Sequence, residues 1–277
     1  MNIPDVLGII AGNGVYPRLL ADSARKAGVR KIIAAAFTDE TDPALTQHVD
    51  LIEWMRVGQL NRLLKFFREQ NVHQAIMAGQ IAPRNLFDLR PDWKALLVLA
   101  KLTQRNAETI FAAIADELAK VDVDLLPATC FLEDSIASAG LIAGPKLSHR
   151  EEEDIDFGWK IAKEVAHLDI GQTVIVKNGT VLAIEAFEGT NDAIKRGGAL
   201  ARKGAVMIKV PKPNQDMRFD VPVIGVETIR VAAEVKLRAI AVEAERTLLL
   251  ERDAIIDLAN RSNISIVARS RNRRSTI

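Results

Sequence analysis

The sequence predicts an α/β protein in two parts, the first built on a parallel sheet and the second on a mixed one. Three observations carry this. Short apolar runs alternate with helix-period segments through the first 130 or so positions, a rhythm that parallel sheets with right-handed crossovers produce. Asn178-Gly179 sits between two β-type runs in the second half and marks an antiparallel hairpin. Between them, residues 135–145 are poor in large apolar side chains and hold Gly140, Gly144 and Pro145. The expected division is a domain over residues 1–134, a linker over 135–147, a second α/β domain over 148–268 and a basic tail over 269–277.

In order, residues 6–11 (Val-Leu-Gly-Ile-Ile-Ala) form a short apolar run suited to a buried strand. Gly12-Asn-Gly14 and Pro17 follow, then a helix over 18–27 that Gly28 ends. Strand, Gly-rich turn and helix make a place where backbone N–H groups hold an anion, so Gly12, Asn13 and Gly14 are substrate-binding candidates. The pattern reads Gly-x-Gly-x-x-Pro and lacks the third glycine of a dinucleotide fingerprint; a tight turn with no ligand is the plain alternative. Residues 31–37 are a second strand and 49–54 a third. Leu60, Leu63, Leu64 and Phe67 recur at helical spacing and predict a helix over 59–70. Residues 73–79 are a fourth strand, which puts Gly79 and Gln80 at a strand end, where open sheets bind ligands. A loop over 85–93, with Arg84 before it, carries Asp88, Arg90 and Asp92, charges that suit either a site or solvent. Residues 94–120 are helical with a break near 103–106, and 121–131 add a strand.

In the second half Ser148-His-Arg-Glu151 is a capping box opening a long helix, and its acidic run 151–154 complements the helix dipole. The hairpin occupies 173–185. Thr190 caps a helix to about 202 that contains Gly197-Gly198, so either a neighbour approaches closely there or the helix stops early. Residues 205–210 are a buried strand, 227–237 a helix, 240–243 and 247–251 short strands, 252–260 a helix and 264–268 a closing strand.

The bulk numbers exclude several classes. Apolar residues make up 48% and charged residues 26% of 277, with a net charge of +1, which gives no electrostatic case for nucleic-acid binding. Arg269, Arg271, Arg273 and Arg274 read as a solvated tail, with weak membrane-surface contact as the alternative. The single cysteine, Cys130, cannot pair within the chain, and the four histidines show no zinc spacing. The first apolar run is too short for a signal peptide, and no stretch reaches the roughly 20 apolar residues of a membrane helix. A cytoplasmic location is the expectation.

Residues 212–225, Lys-Pro-Asn-Gln-Asp-Met-Arg-Phe-Asp-Val-Pro-Val-Ile-Gly, are the densest chemical stretch. Lys212, Gln215, Asp216, Arg218 and Asp220 leave a strand end between two prolines, where α/β proteins place chemistry. A charged surface loop is the competing reading.

Several segments now align with a known family: Leu7-Gly-Ile-Ile-Ala-Gly-Asn-Gly14, Met77-Ala-Gly79, Asp92-Trp-Lys94, Asp169-Ile-Gly-Gln172, Ala183-Ile-Glu-Ala-Phe-Glu-Gly-Thr190, Lys212-Pro-Asn-Gln-Asp216, Arg218-Phe-Asp-Val-Pro222 and Ala241-Val-Glu-Ala244. In this order, from about Val6 to Ala268, the chain closely resembles the LpxI-type UDP-2,3-diacylglucosamine pyrophosphatases of Gram-negative lipid A synthesis. The resemblance implies a Rossmann-like N-terminal domain, a distinct C-terminal α/β domain and a cleft between them. It implies a homodimer, dependence on a divalent cation, usually Mg²⁺, and hydrolysis of UDP-2,3-diacylglucosamine to UMP and 2,3-diacylglucosamine 1-phosphate, with water attacking the phosphorus on the sugar side. The aspartate of the family's Arg-x-Asp-x-Pro motif falls on Asp220. One departure is Asn191-Asp192 after Thr190, where many relatives place Asp directly.

Under that reading Asp220 binds the metal or takes the proton of the attacking water, with Asp216 beside it and Glu185 and Glu188 completing the acids. Lys212 and Arg218 neutralise the phosphoryl oxygens, and Gln215 and Thr190 join the substrate-binding set. Structural salt bridging to Arg218 for Asp220, a structural role likewise for Asp216, and helix capping for Glu185 and Glu188 are the alternatives. Two acyl chains require an apolar chamber, expected between the domains, with peripheral contact to the cytoplasmic face of the inner membrane. A nucleotide-dependent oxidoreductase and a non-catalytic UDP-sugar-lipid carrier are the rival functions.

Overall fold

The structure is a computed structural model that describes residues 3–81, 91–103, 107–213 and 215–270. It divides into two compact units: Met1–Glu133 with Asp216–Asp220, and Asp134–Gln215 with Val221–Ile277. The segments 82–90, which hold Arg84, Asp88 and Arg90, and 271–277, which hold the last three tail arginines, lie outside the described residues.

The first unit runs β1 (Val6–Ala11), α1 (Tyr16–Ala27), β2 (Lys31–Phe37), a 3₁₀ turn (Pro43–Gln47), β3 (Leu51–Met55), α2 (Leu60–Glu69), β4 (Gln74–Ala78), α3 (Trp93–Lys101), α4 (Ala107–Ala119) and β5 (Asp124–Leu125). Its sheet is parallel throughout in the order β3-β2-β1-β4-β5. The chain therefore winds outward from β1 in one direction and from β4 in the other. That reversal is the topological switch at which open sheets leave a crevice. β1 and β2 are buried along nearly their whole lengths, which explains their unbroken apolar runs. α2 presents Leu60, Leu63, Leu64 and Phe67 to the core at the expected spacing. Asp92 is not a loose loop charge: it caps α3 by accepting from the Ala95 N–H, and it also accepts from the Asn61 N–H.

The second unit runs β6 (Gly140–Ala143), α5 (His149–His167), β7 (Thr173–Lys177), β8 (Thr180–Ile184), α6 (Thr190–Ala201), β9 (Val206–Lys209), β10 (Val223–Ile224), α7 (Val226–Glu234), β11 (Ala239–Glu243), β12 (Leu248–Leu249), α8 (Arg252–Arg261) and β13 (Ser265–Arg269). The main sheet has the order β6-β13-β11-β9-β7-β8, parallel through its centre and antiparallel at both edges. α5 covers one face through Ile155, Ala162 and Ala166. α6, α7 and α8 cover the other through Ile194, Ile229 and Ile255. The capping box forms as expected at Ser148 and Glu151, and Asn178 and Gly179 both take positive φ, 52° and 69°, as a tight hairpin turn requires.

Three expectations are corrected. Residues 135–147 are not a free linker: Gly140–Ala143 pairs with β13, and Ala137 exchanges backbone hydrogen bonds with Thr247 and Glu245. An edge strand needs only one partner, so a short Gly-rich run suffices and its sequence signal is weak. Of the strand expected over 121–131, only Asp124–Leu125 joins the sheet; Pro127 has no N–H to continue a ladder. Arg269 is not tail. It ends β13, is 8% exposed, and pairs with Glu152 and Asp156 on α5. Those acids therefore do more than complement the dipole, and Asp154 accepts from the N–H groups of Asn178 and Gly179 to hold the hairpin turn.

The Gly197-Gly198 pair lies inside α6, so close approach rather than helix termination is its cause. A Cβ at 197 would stand 2.7 Å from Ile175 and one at 198 only 2.4 Å from Val235. Gly198→Ala is expected to destabilise the protein, because overpacking costs about 1–3 kcal/mol and outweighs a helix-propensity gain of about 1 kcal/mol. Leu200→Ala, on the exposed side of the same helix, should move stability by no more than about 0.5 kcal/mol. Urea unfolding of the two variants beside the parent checks the difference.

Candidate active site

The loop over 212–225 is shared between the two units. Asp216–Asp220 packs with the first, whereas Lys212 and Gln215 belong to the second. Asp216 opens a single helical turn: its carbonyl accepts from the Phe219 N–H at 3.2 Å and the Asp220 N–H at 2.9 Å. Its carboxylate accepts from the Arg218 N–H at 3.0 Å and grips the Arg218 guanidinium through Nε and, at 2.7 Å, Nη2. Hydrogen bonding from Arg218 holds the Asp216 carboxyl below its usual range, and the same bond raises Arg218. The turn is fastened to the first unit at two further points. Phe219 packs on Phe111 of α4 with ring centroids 5.8 Å apart. The Ala128 N–H donates to the Met217 carbonyl at 2.8 Å, while the Ala128 carbonyl accepts from the Tyr16 hydroxyl at the start of α1. Asp220, at the end of the turn, is half-buried, and its carboxylate forms no hydrogen bond or ion pair with any described residue.

The two loop acids thus differ in kind. Asp216 is a fastener for Arg218 and for the turn; Asp220 is left available for chemistry. Lys212 pairs with Asp169, and Gln215 is buried with its Oε1 accepting from the Lys212 N–H at 2.9 Å. The Gln215 amide nitrogen has no partner.

Glu188 and Glu185 also separate. Glu188 is engaged by Arg196 of α6, whose hydrogen bond lowers its carboxyl below the usual range, and it accepts from the Ala186 N–H at 3.1 Å. Glu185 is 7% exposed; one oxygen accepts from the Thr190 hydroxyl at 2.8 Å and the other has no partner. Thr190 in turn accepts from Nζ of Lys209 at 2.9 Å. Thr173, the register partner of Lys209, and Gln172 each bury a further unsatisfied oxygen. These unsatisfied oxygens, just past the end of β8 and at the start of β7, cost about 1–3 kcal/mol each and mark a working surface rather than a packed one. Lys209 was absent from the candidates read from sequence. The signal was there: a lysine inside the otherwise apolar run 205–210. Asp192, the residue of the departure noted above, pairs with Lys195 on the exposed side of α6.

The glycine-rich turn behaves otherwise than expected. The Gly12 N–H donates to the Ala78 carbonyl at 2.7 Å, and the Asn13 N–H donates to Gln80, also at 2.7 Å. A Cβ on Gly12 would lie 2.6 Å from the Gln80 carbonyl oxygen, and one on Gly79 would lie 2.6 Å from the Asn13 carbonyl oxygen. Gly12, Asn13, Gly79 and Gln80 therefore clasp the ends of β1 and β4 to each other, and two of the three N–H groups assigned to an anion are already used. Gly14, with φ +90° and open space around it, remains exposed on the rim of a cavity of about 900 Å³ over the carboxyl ends of β1, β2 and β3. Among the described residues no three His, Cys, Asp or Glu side chains converge as a metal site.

Because the folded Asp216 carboxyl is held low, its contribution to stability is present at neutral pH and is lost as pH falls through that lowered value. Asp216→Asn should therefore be less stable than the parent at pH 7, with the gap closing in acid as the parent's own carboxylate protonates. Thermal unfolding midpoints of both proteins from pH 7 to pH 3 check this, and a gap independent of pH would remove the charge from the account.

The family model described as the LpxI N-terminal domain matches residues 6–135, and that described as the LpxI C-terminal domain matches residues 138–267. The UDP-2,3-diacylglucosamine pyrophosphatase LpxI of Caulobacter vibrioides is 31% identical over 265 residues, covering 92% of this chain and 94% of that protein. Among solved structures, glycinamide-RNase-transformylase T from Mycobacterium tuberculosis matches at 12% identity over 65% of this chain and 44% of its own, with a TM-score of 0.25, a level at which the two chains do not superpose as wholes. Two family models placed end to end, and a relative matched over nearly its full length, settle the membership: the chain belongs to the LpxI family.

Proposed function

We propose that this chain hydrolyses the pyrophosphate of UDP-2,3-diacylglucosamine, releasing UMP and 2,3-diacylglucosamine 1-phosphate in lipid A synthesis. The observation that carries the reading is the Asp216–Asp220 turn, which sets an unengaged carboxylate two residues from a guanidinium that is already held in place. Hydrolysis needs both: a base for the proton of the attacking water, and positive charge on the phosphoryl oxygens as the bridging P–O bond breaks. Asp220 takes the first role. Arg218, kept in orientation by Asp216, takes the second.

Magnesium fits these residues in one mode. The ion is commonly held by one or two carboxylates together with substrate phosphate oxygens, so Asp220 suffices as its protein ligand. Glu185, with one oxygen lacking a partner, offers the same chemistry in the second unit. Asp216 and Glu188 are committed to arginines. When bound, the ion would neutralise charge on the phosphoryl oxygens. An oxidoreductase is disfavoured because the Gly-x-Gly turn spends two of its three N–H groups on the end of β4 and the turn after it. A homodimer with peripheral contact to the cytoplasmic face of the inner membrane completes the reading. It is supported by α3, where Trp93, Leu96 and Leu97 are 60%, 54% and 53% exposed. No described helix is long and apolar enough to cross a membrane.

Asp220→Asn should lower the rate of UMP release by about 10²–10⁴-fold, the usual worth of a positioned base, with circular dichroism and unfolding midpoint unchanged. Turnover at the parent rate in this variant would take Asp220 out of the chemistry. Dialysis against a chelator and restoration with Mg²⁺, monitored in the same assay, tests the cation.

A further inference from the structure

Residues 126–132 leave β5 as neither strand nor helix, yet they are tied down along their length. The Leu126 N–H donates to the Ala75 carbonyl of β4 at 2.9 Å. Beyond it, two side chains of α1 reach the segment's carbonyls. The Tyr16 hydroxyl donates to Ala128, and the Ser23 hydroxyl donates to Phe131 at 2.5 Å. Tyr16 and Ser23 stand two helical turns apart, so they lie on one face of α1. The segment is thus a strap laid across that face. Between its two anchors it turns tightly: the N–H groups of Cys130 and Leu132 donate to Pro127 and Thr129, each at 3.0 Å, and Phe131 takes a φ of +66°. Only the Tyr16 anchor coincides with the candidate site. The residue whose carbonyl it holds, Ala128, gives its N–H to the Met217 carbonyl, between Asp216 and Arg218.

Tyr16 is the chain's single tyrosine and is 6% exposed. A phenylalanine ring would fill the same space, and burying a hydroxyl is unfavourable unless it is hydrogen-bonded. The hydroxyl therefore has its use at the Ala128 carbonyl. The N–H and the carbonyl of Ala128 lie on the two peptide planes that meet at its Cα, and only two soft dihedrals separate them. Fixing the carbonyl thus restricts the direction of the N–H and, with it, the seat of the turn. The other fastening, the ring contact of Phe219 with Phe111, sets a separation but lacks the directionality of a hydrogen bond. Arg218 is held inside the turn by Asp216, so the group that depends on how the whole turn is seated is the carboxylate of Asp220. We infer that Tyr16 is a positioning residue: through Ala128 it orients Asp220 for proton transfer without touching the substrate. The inference rests on the hydrolase reading and adds to it a residue in α1. Ser23 anchors the far end of the same strap and has no link to the turn, which makes it the internal control.

Tyr16→Phe and Ser23→Ala in the full chain, assayed for UMP release from UDP-2,3-diacylglucosamine well below the unfolding midpoint of either variant, test it. Tyr16→Phe should lower kcat about tenfold with KM within about twofold of the parent. A displaced base loses an interaction made in the transition state, and a displacement of about 1 Å costs up to about a hundredfold. Ser23→Ala should stay within about twofold of the parent in both constants. Added to Asp220→Asn, Tyr16→Phe should cost no more than about a further twofold, because the carboxylate it orients is gone. A second readout needs no turnover. Amide exchange of a peptide covering residues 216–220, followed by mass spectrometry, should be about tenfold faster in Tyr16→Phe than in Ser23→Ala. Equal losses of kcat in the two single variants, or a full tenfold loss on top of Asp220→Asn, mark a merely structural hydroxyl and overturn the inference. So does exchange in the turn that Tyr16→Phe leaves unchanged. If the parent releases UMP and Tyr16→Phe matches its kcat, the positioning role alone has failed. If the parent releases no UMP while exchange rises in Tyr16→Phe only, the hold of Tyr16 on the turn stands and the hydrolase reading falls.

Discussion

A single residue, Ala128, ties the turn of the candidate site to the start of α1 through its two backbone groups. Its N–H supports the turn that carries Arg218 and Asp220, and its carbonyl receives the buried hydroxyl of Tyr16 at the entrance to α1. Burial raises the Tyr16 hydroxyl well above its ordinary pKa, so it stays a donor across the working pH range. The consequence is that a short stretch from the middle of the second half of the chain is fixed against the first unit by main-chain geometry rather than by side-chain packing alone. Asp220 then needs no partner of its own to be oriented. An acid held through its backbone can keep its carboxylate open for a substrate, whereas an acid held through its carboxylate, as Asp216 is, cannot.

Much of this architecture could be read from the residues, and the reasons are physical. Continuous apolar runs such as Ile32–Ala36 have one interpretation when helices flank them, and periodicities such as that of α2 leave little choice. The capping box and the Asn-Gly hairpin are local devices that need nothing distant to work. What escaped the sequence was either marginal in length or decided by a remote partner. β6 is an edge strand whose register depends on β13. Arg269 looks like the start of a solvated basic tail until Glu152 and Asp156 are brought beneath it, and no local pattern announces that pairing.

The site shows the same division. Asp220 and Asp216 are two of a kind in sequence, and only the turn separates the free carboxylate from the fastener. Gly12 and Gly79 were legible as special positions but not as each other's reason. A glycine at a strand exit has the same signature whether it makes room for a phosphate or for another loop. Lys209 shows the converse failure. Its apolar neighbours drew attention to a strand, and the polar cluster with Thr190 and Glu185 arises only when α6 begins beside the end of β9.

The clasp between the turns after β1 and β4 bears on how such a protein can change. Each glycine is bounded by the other turn's backbone, so no repacking of side chains can accommodate a larger residue at either place. The two turns are therefore frozen as a pair, and adaptation to a different ligand is channelled elsewhere. The turn after β2 is free of that mutual lock. Its Asp39 is exposed, and its scaffold is held by Thr41 instead. Substitution at Asp39 thus leaves the Thr41 hydrogen bonds beneath it intact.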